Sequence, residues 1–172
     1  MSEPTALSLL TEVEKAAVLD ELITRDVELE QRAERAGRHL LATVTADDIA
    51  SAVAAELLAF DQDDLAAHAG PTRYGYVEPT EAAWSLLEEA IAPWIDDLER
   101  RARLGLGDAA RHLGLGILQG LTRISDTTDD QRLLSWAPDF PGQAADSVLR
   151  ALVDVGIELT DGELARVAIA HA

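Results

Sequence analysis

No stretch of this sequence alternates apolar and polar residues for long enough to make a sheet strand. Apolar side chains recur instead every third or fourth residue, the repeat of a helix that buries one face. Composition agrees, with 30 Ala and 26 Leu among 172 residues, both strong helix formers. The chain therefore reads as all-α, with seven or eight helices stacked as antiparallel hairpins in a helical bundle or short α-solenoid. Its length fits a single domain over 1–172, and by surface scaling such a chain buries roughly 70% of the area its unfolded form exposes. It needs neither disulfide nor metal to fold.

Along the chain, Leu10, Val13 and Ala17, then Leu19, Leu22 and Ile23, predict a helix over 7–23, bent midway. Asp26 stands where an N-cap belongs, ahead of a helix over 27–41 with Leu29, Ala33, Ala36 and Leu40 on one side. Thr45 and Asp48 have capping-box spacing and open a helix through Ile49, Val53, Leu57 and Phe60, with a short helix expected over 65–69. Residues 70–79 (GPTRYGYVEP) hold two prolines, two glycines and two tyrosines and read as a loop dividing two helical halves. Beyond it Trp84, Leu87, Ile91, Trp94 and Leu98 step by 3, 4, 3 and 4, a seam that packs lengthwise on a neighbour. Pro93 within that seam predicts a kink rather than two helices.

The next helix is expected from an N-cap at Asp108 to Ile124, with Leu113, Ile117, Leu121 and Ile124 inward. Gly114, Gly116 and Gly120 fit no phosphate-loop spacing; they read as positions where another helix comes close. An acidic loop follows at 126–130. Pro141 starts a helix that Gly156 ends, and Thr160 with Glu163 caps a final one.

The exclusions are firmer than the assignments. Zero cysteines remove thiolate catalysis, disulfides and every cysteine-ligated metal site. The formal charge of -18, from 32 Asp and Glu against 14 Lys and Arg, argues against direct nucleic-acid binding but allows a basic protein partner. The first ten residues lack a basic n-region, and the longest apolar stretch, 113–121, is half a membrane span, so a cytoplasmic protein outside the membrane is expected.

His39, His68, His112 and His171 fall on separate predicted elements. Asp64 with His68, and Asp108 with His112, have i, i+4 spacing, yet a metal site needs three or four ligands, and no metal or cofactor is assigned. Asp61, Asp63 and Asp64, like Asp126, Asp129 and Asp130, fail the calcium-loop pattern at its sixth and twelfth positions. No GxSxG is present, and no catalytic residue is assigned.

The stretch 23–36 (ITRDVELEQRAERA), the tyrosine-rich loop before a Trp-containing helix, and 108–121 (DAARHLGLGILQGL) before an acidic loop resemble the helical regions accompanying bacterial SWIM-type zinc-finger proteins. The zinc module itself has no counterpart, since its cysteines are missing. The resemblance implies a helical-repeat scaffold and transfers no site residue.

Two surfaces are left as candidates for binding a protein partner. Asp47, Asp48, Asp61, Asp63 and Asp64 lie in a stretch without Lys or Arg, and Arg73, Tyr74 and Tyr76 form an aromatic loop. Trp84 and Trp94 lie on the buried seam. The expected function is a non-catalytic protein–protein interaction or scaffold module. The alternatives are an acidic inhibitor or immunity-type protein masking a basic partner, and an enzyme or small-ligand protein with an inter-helix pocket, His112 among its polar groups. Oligomeric state is open on this reading.

Overall fold

The computed structural model describes residues 6–73, 75–125 and 133–167. Within them the chain is all-α, with nine α-helices and a single short hairpin of strands. It divides into two compact units at Leu41/Ala42, and loop 70–79 lies inside the second.

The first unit holds α1 (Ala6–Leu9), α2 (Glu12–Arg25) and most of α3 (Val27–Ala42). The expected bend in helix 7–23 is a full break. Thr11 accepts a hydrogen bond from the Glu14 amide while the Glu14 carboxylate accepts one from the Thr11 amide, a reciprocal cap that starts a new helix. Asp26 alone joins α2 to α3, its carboxylate accepting the amides of Glu28 and Leu29, as the sequence predicts. None of the described residues up to 41 is buried.

In the second unit come α4 (Ala46–Leu57), α5 (Gln62–His68), strands β1 (Gly70–Thr72) and β2 (Gly75–Val77), α6 (Pro79–Arg103), α7 (Gly107–Ser125), α8 (Phe140–Asp154) and α9 (Asp161–Val167). A 3-10 turn, Leu133–Ser135, precedes α8. The loop reading of 70–79 needs correction, because Gly70–Thr72 and Gly75–Val77 pair as antiparallel strands with Pro71 opposite Tyr76 and Thr72 opposite Gly75. Gly70 and Gly75 have φ of 112° and 146°, conformations that glycine alone adopts readily. Asp108 is also corrected: α7 begins at Gly107, so Asp108 sits in its first turn and complements the helix dipole rather than capping. The long seam helix α6 runs unbroken through Pro93.

The core is built around α7, eleven of whose nineteen residues are buried. It packs against α4, α6, α8 and α9. Leu113, Ile117, Leu121 and Ile124 are all at most 1% exposed, the inward face that the periodicity predicts. Trp84 meets Phe140 edge-to-face, ring centres 5.4 Å apart, joining α6 to α8. Trp84 and Trp94 are half-buried at the edge of the core, and the Trp94 indole donates to Glu56 at 2.8 Å.

The α4–α7 crossing is the tightest in the unit. A Cβ on Gly116 would stand 2.6 Å from the Ile49 Cβ and 2.7 Å from the Ala46 carbonyl oxygen. One on Gly120 would stand 3.0 Å from the Ala50 carbonyl oxygen. Gly114 is different: its neighbours are the methyl tips of Leu152 and Leu98, which can rotate away. Gly116→Ala is therefore expected to destabilise the fold by about 1–3 kcal/mol in urea unfolding, since backbone cannot yield. Gly114→Ala should cost less, its loss offset in part by the roughly 1 kcal/mol of helix propensity that alanine adds.

Candidate functional site

The five candidate acids are set mostly by helix ends. Thr45 accepts the Asp48 amide at 3.2 Å and its hydroxyl donates to the Asp48 carboxylate at 2.6 Å, so Asp48 belongs to the cap of α4. Asp61 and Asp64 form a reciprocal box at the start of α5: Asp61 accepts the amides of Asp63 and Asp64, and Asp64 accepts the Asp61 amide at 3.0 Å. Asp47 receives Arg123 from α7, whose guanidinium also donates to the Ser51 hydroxyl at 3.0 Å. Asp63 is exposed in the first turn of α5. Asp47 and Asp48 start α4 while Asp61, Asp63 and Asp64 follow its end. The twelve-residue helix spaces the two groups about 18 Å along its axis, two clusters rather than one patch.

The aromatic candidates fall on the hairpin. Tyr76 is 62% exposed on β2, paired across the ladder with exposed Pro71. Arg73 is exposed at the turn, and Tyr74 lies outside the described residues. In a hairpin closed by a two-residue turn, the Thr72–Gly75 pair exchanges the hydrogen bonds and the next pair does not. Pro71 occupies that next position, where its missing N–H costs the ladder nothing. The strand pair thus holds Tyr76 on a stiff support.

The described histidines, His39, His68 and His112, fall on separate helices. Among the described residues no three His, Asp or Glu side chains converge to hold a metal ion. The His68 ring nitrogen lies 2.8 Å from the Asp64 backbone carbonyl, so this i, i+4 pair is a local helix contact. His171 lies outside the described residues, as do Asp126, Asp129 and Asp130. A surface cleft of about 440 Å³ lies between α6 and α8, floored by Ile91, Ile95 and Phe140 and rimmed by Glu88, Asp146 and Arg150. His112 does not line it.

The carboxylates with displaced acidity serve structure. Burial works to raise Asp97, but hydrogen bonds from Arg101 and Arg100 and their charges prevail and lower it. Arg101, the one buried charged residue among those described, is held this way at 2.8 Å. Glu163 is held at about 2, first by the Arg111 hydrogen bond and then by the Thr160 amide and hydroxyl at 2.8 and 2.7 Å. The predicted Thr160–Glu163 cap thus carries a second role, tying α9 to α7 through Arg111. The long-range Arg111–Glu163 pair has no sequence signature, whereas Asp97 with Arg101 has helical i, i+4 spacing, and the Thr11–Glu14 and Asp61–Asp64 boxes extend the pattern recognised at Thr45 and Thr160.

No family model, curated protein or solved structure matches this chain. Among the described residues no helix is long and apolar enough to cross a membrane.

Glu163 gives a pH signature. Its carboxyl binds a proton less readily folded than unfolded, so its stabilisation is complete above about pH 4.5 and disappears as pH falls toward 2. Glu163→Gln should therefore melt below the parent at neutral pH, with the gap closing across that window. A gap of equal size at both ends would contradict the assignment.

Proposed function

We propose that the chain is a non-catalytic protein-interaction module that presents the Arg73–Tyr76 hairpin to a protein partner. The observation carrying this reading is the 62% exposure of Tyr76 on a two-stranded support within an otherwise helical unit. An aromatic ring held by paired strands loses little freedom on binding, which is what makes tyrosine an effective anchor. Pro71 across the ladder adds a second rigid apolar surface beside it.

The acidic surface is the weaker of the two candidates. Asp48, Asp61 and Asp64 are committed to caps and Asp47 to Arg123, so the acids are explained without a partner. Charge still supports attraction of a basic partner at long range, with net charge -18 setting the encounter rate more than the affinity. The helical scaffold implied by the SWIM-associated resemblance is compatible with such a module.

The test is capture on the immobilised full chain, parent against Tyr76→Ala and Arg73→Ala, over a salt series. Tyr76→Ala should reduce retention at least tenfold, in keeping with the roughly 2 kcal/mol or more of an interface anchor, and that loss should persist at high salt. Retention unchanged by Tyr76→Ala, but abolished by salt alone, would move the function to the acidic clusters.

A further inference from the structure

The first unit has a cleft of its own. Leu19, Leu22 and Ile23 on α2 and Leu29, Ala33 and Ala36 on α3 line about 530 Å³ at the inner angle of the two helices. Leu19 and Leu22 are each half exposed, and Leu40, which continues the α3 row, is 73% exposed. Leu29, Ala33, Ala36 and Leu40 step by 4, 3 and 4, the spacing of a seam that takes another helix lengthwise. Helices of 14 and 16 residues with no buried side chain are marginal in water on their own.

The natural occupant of the α3 seam would be α2 folded back upon it. That closure is blocked by the connection. An antiparallel helix pair needs a loop of about two to five residues, and Asp26 supplies one, so α2 and α3 diverge without packing along each other. Two apolar faces that belong together are thus held apart within one chain. A second copy removes the obstacle, because its α2 reaches the seam with no constraint from the corner.

Charge and size favour the same occupant. Arg32 and Arg35 line the cleft, and neither has an ion pair among the described residues. α2 is an acidic amphipathic helix, with Glu12, Glu14, Asp20 and Glu21 against Lys15 and Arg25. Glu12 and Glu21 pair with Lys15 and Arg25 and Glu14 serves the cap, so it is the net negative charge of α2, with Asp20, that draws the helix toward those two arginines, and in a twofold arrangement both copies gain equally. Helices of 14 and 16 residues are long enough to present a seam of about four turns each.

We propose that α2 and α3 form a homodimerisation element in which α2 of each copy packs into the α2–α3 cleft of the other. The proposal is independent of the hairpin, since Tyr76 is not on this element.

The test is sedimentation equilibrium of the full chain over a wide concentration range. The parent should run at twice the monomer mass. Leu22→Asp with Leu29→Asp should run as a monomer while the second unit keeps its cooperative melting, because neither side chain is buried in any core. Inserting Gly-Ser-Gly between Arg25 and Asp26 should also give a monomer, with α2 now able to reach its own α3 and helicity retained. A parent that is monomeric at every concentration overturns the proposal, as does a dimer that survives either change.

Discussion

The second unit depends on two helices coming closer than side chains ordinarily allow. At Gly116 and Gly120 the α7 surface is bare backbone, and Ala46, Ile49, Ala50 and Val53 of α4 settle directly onto it. A contact of that kind fixes both rotation and axial position, since a turn of either helix would drive a Cβ into a carbonyl. Arg123 then reaches Asp47 and Ser51 from the same side of α7, holding α4 by its first turns. Everything else arranges itself around α7: α6 and α8 close its other faces, and α9 is tied on by Arg111 and Glu163.

This economy accounts for most of the charged groups whose acidity is displaced or whose partners are known. Asp97 offsets buried Arg101, Glu163 serves cap and tether together, and Glu56 accepts the Trp94 indole. Left without a structural role are the Tyr76–Pro71 face of the hairpin, the inner angle of α2 and α3, and the α6–α8 cleft with its charged rim. The two proposed binding surfaces, the hairpin face and the α2–α3 angle, are places where this chain departs from its own folding rules.

Helix positions were legible because each depends on local signals. The Thr45, Thr160 and Asp26 caps, the α6 seam and the inward row of α7 all follow from residues within a turn or two of one another. The glycines of α7 were legible as close-approach sites, though not the helix that approaches them. Asp108 misled because a good capping residue competes with a helix that can begin one residue earlier at Gly107. The hairpin escaped because three-residue strands are too short for alternation to register, leaving only turn residues visible. Of the candidate site, the exposure of Tyr76 was readable, while the partners of the five acids were readable only in part. Whether five carboxylates converge depends on which helix lies between them, and four of the five are engaged in caps or an ion pair.

The α4–α7 crossing also sets an order of events during synthesis. Ile49 and Gly116 lie 67 positions apart, and α4 packs more extensively on α7 than on α6, which comes between them in the chain. At roughly 5–20 residues per second, α4 leaves the ribosome some 3–13 s before the glycines that receive it. Its apolar row is uncovered for that interval, while α6 and α7, neighbours in sequence, pair as soon as they emerge. The acidic first turns of α4 and α5 cap those helices in the finished unit and also carry like charge, which disfavours association of apolar chain while it is exposed.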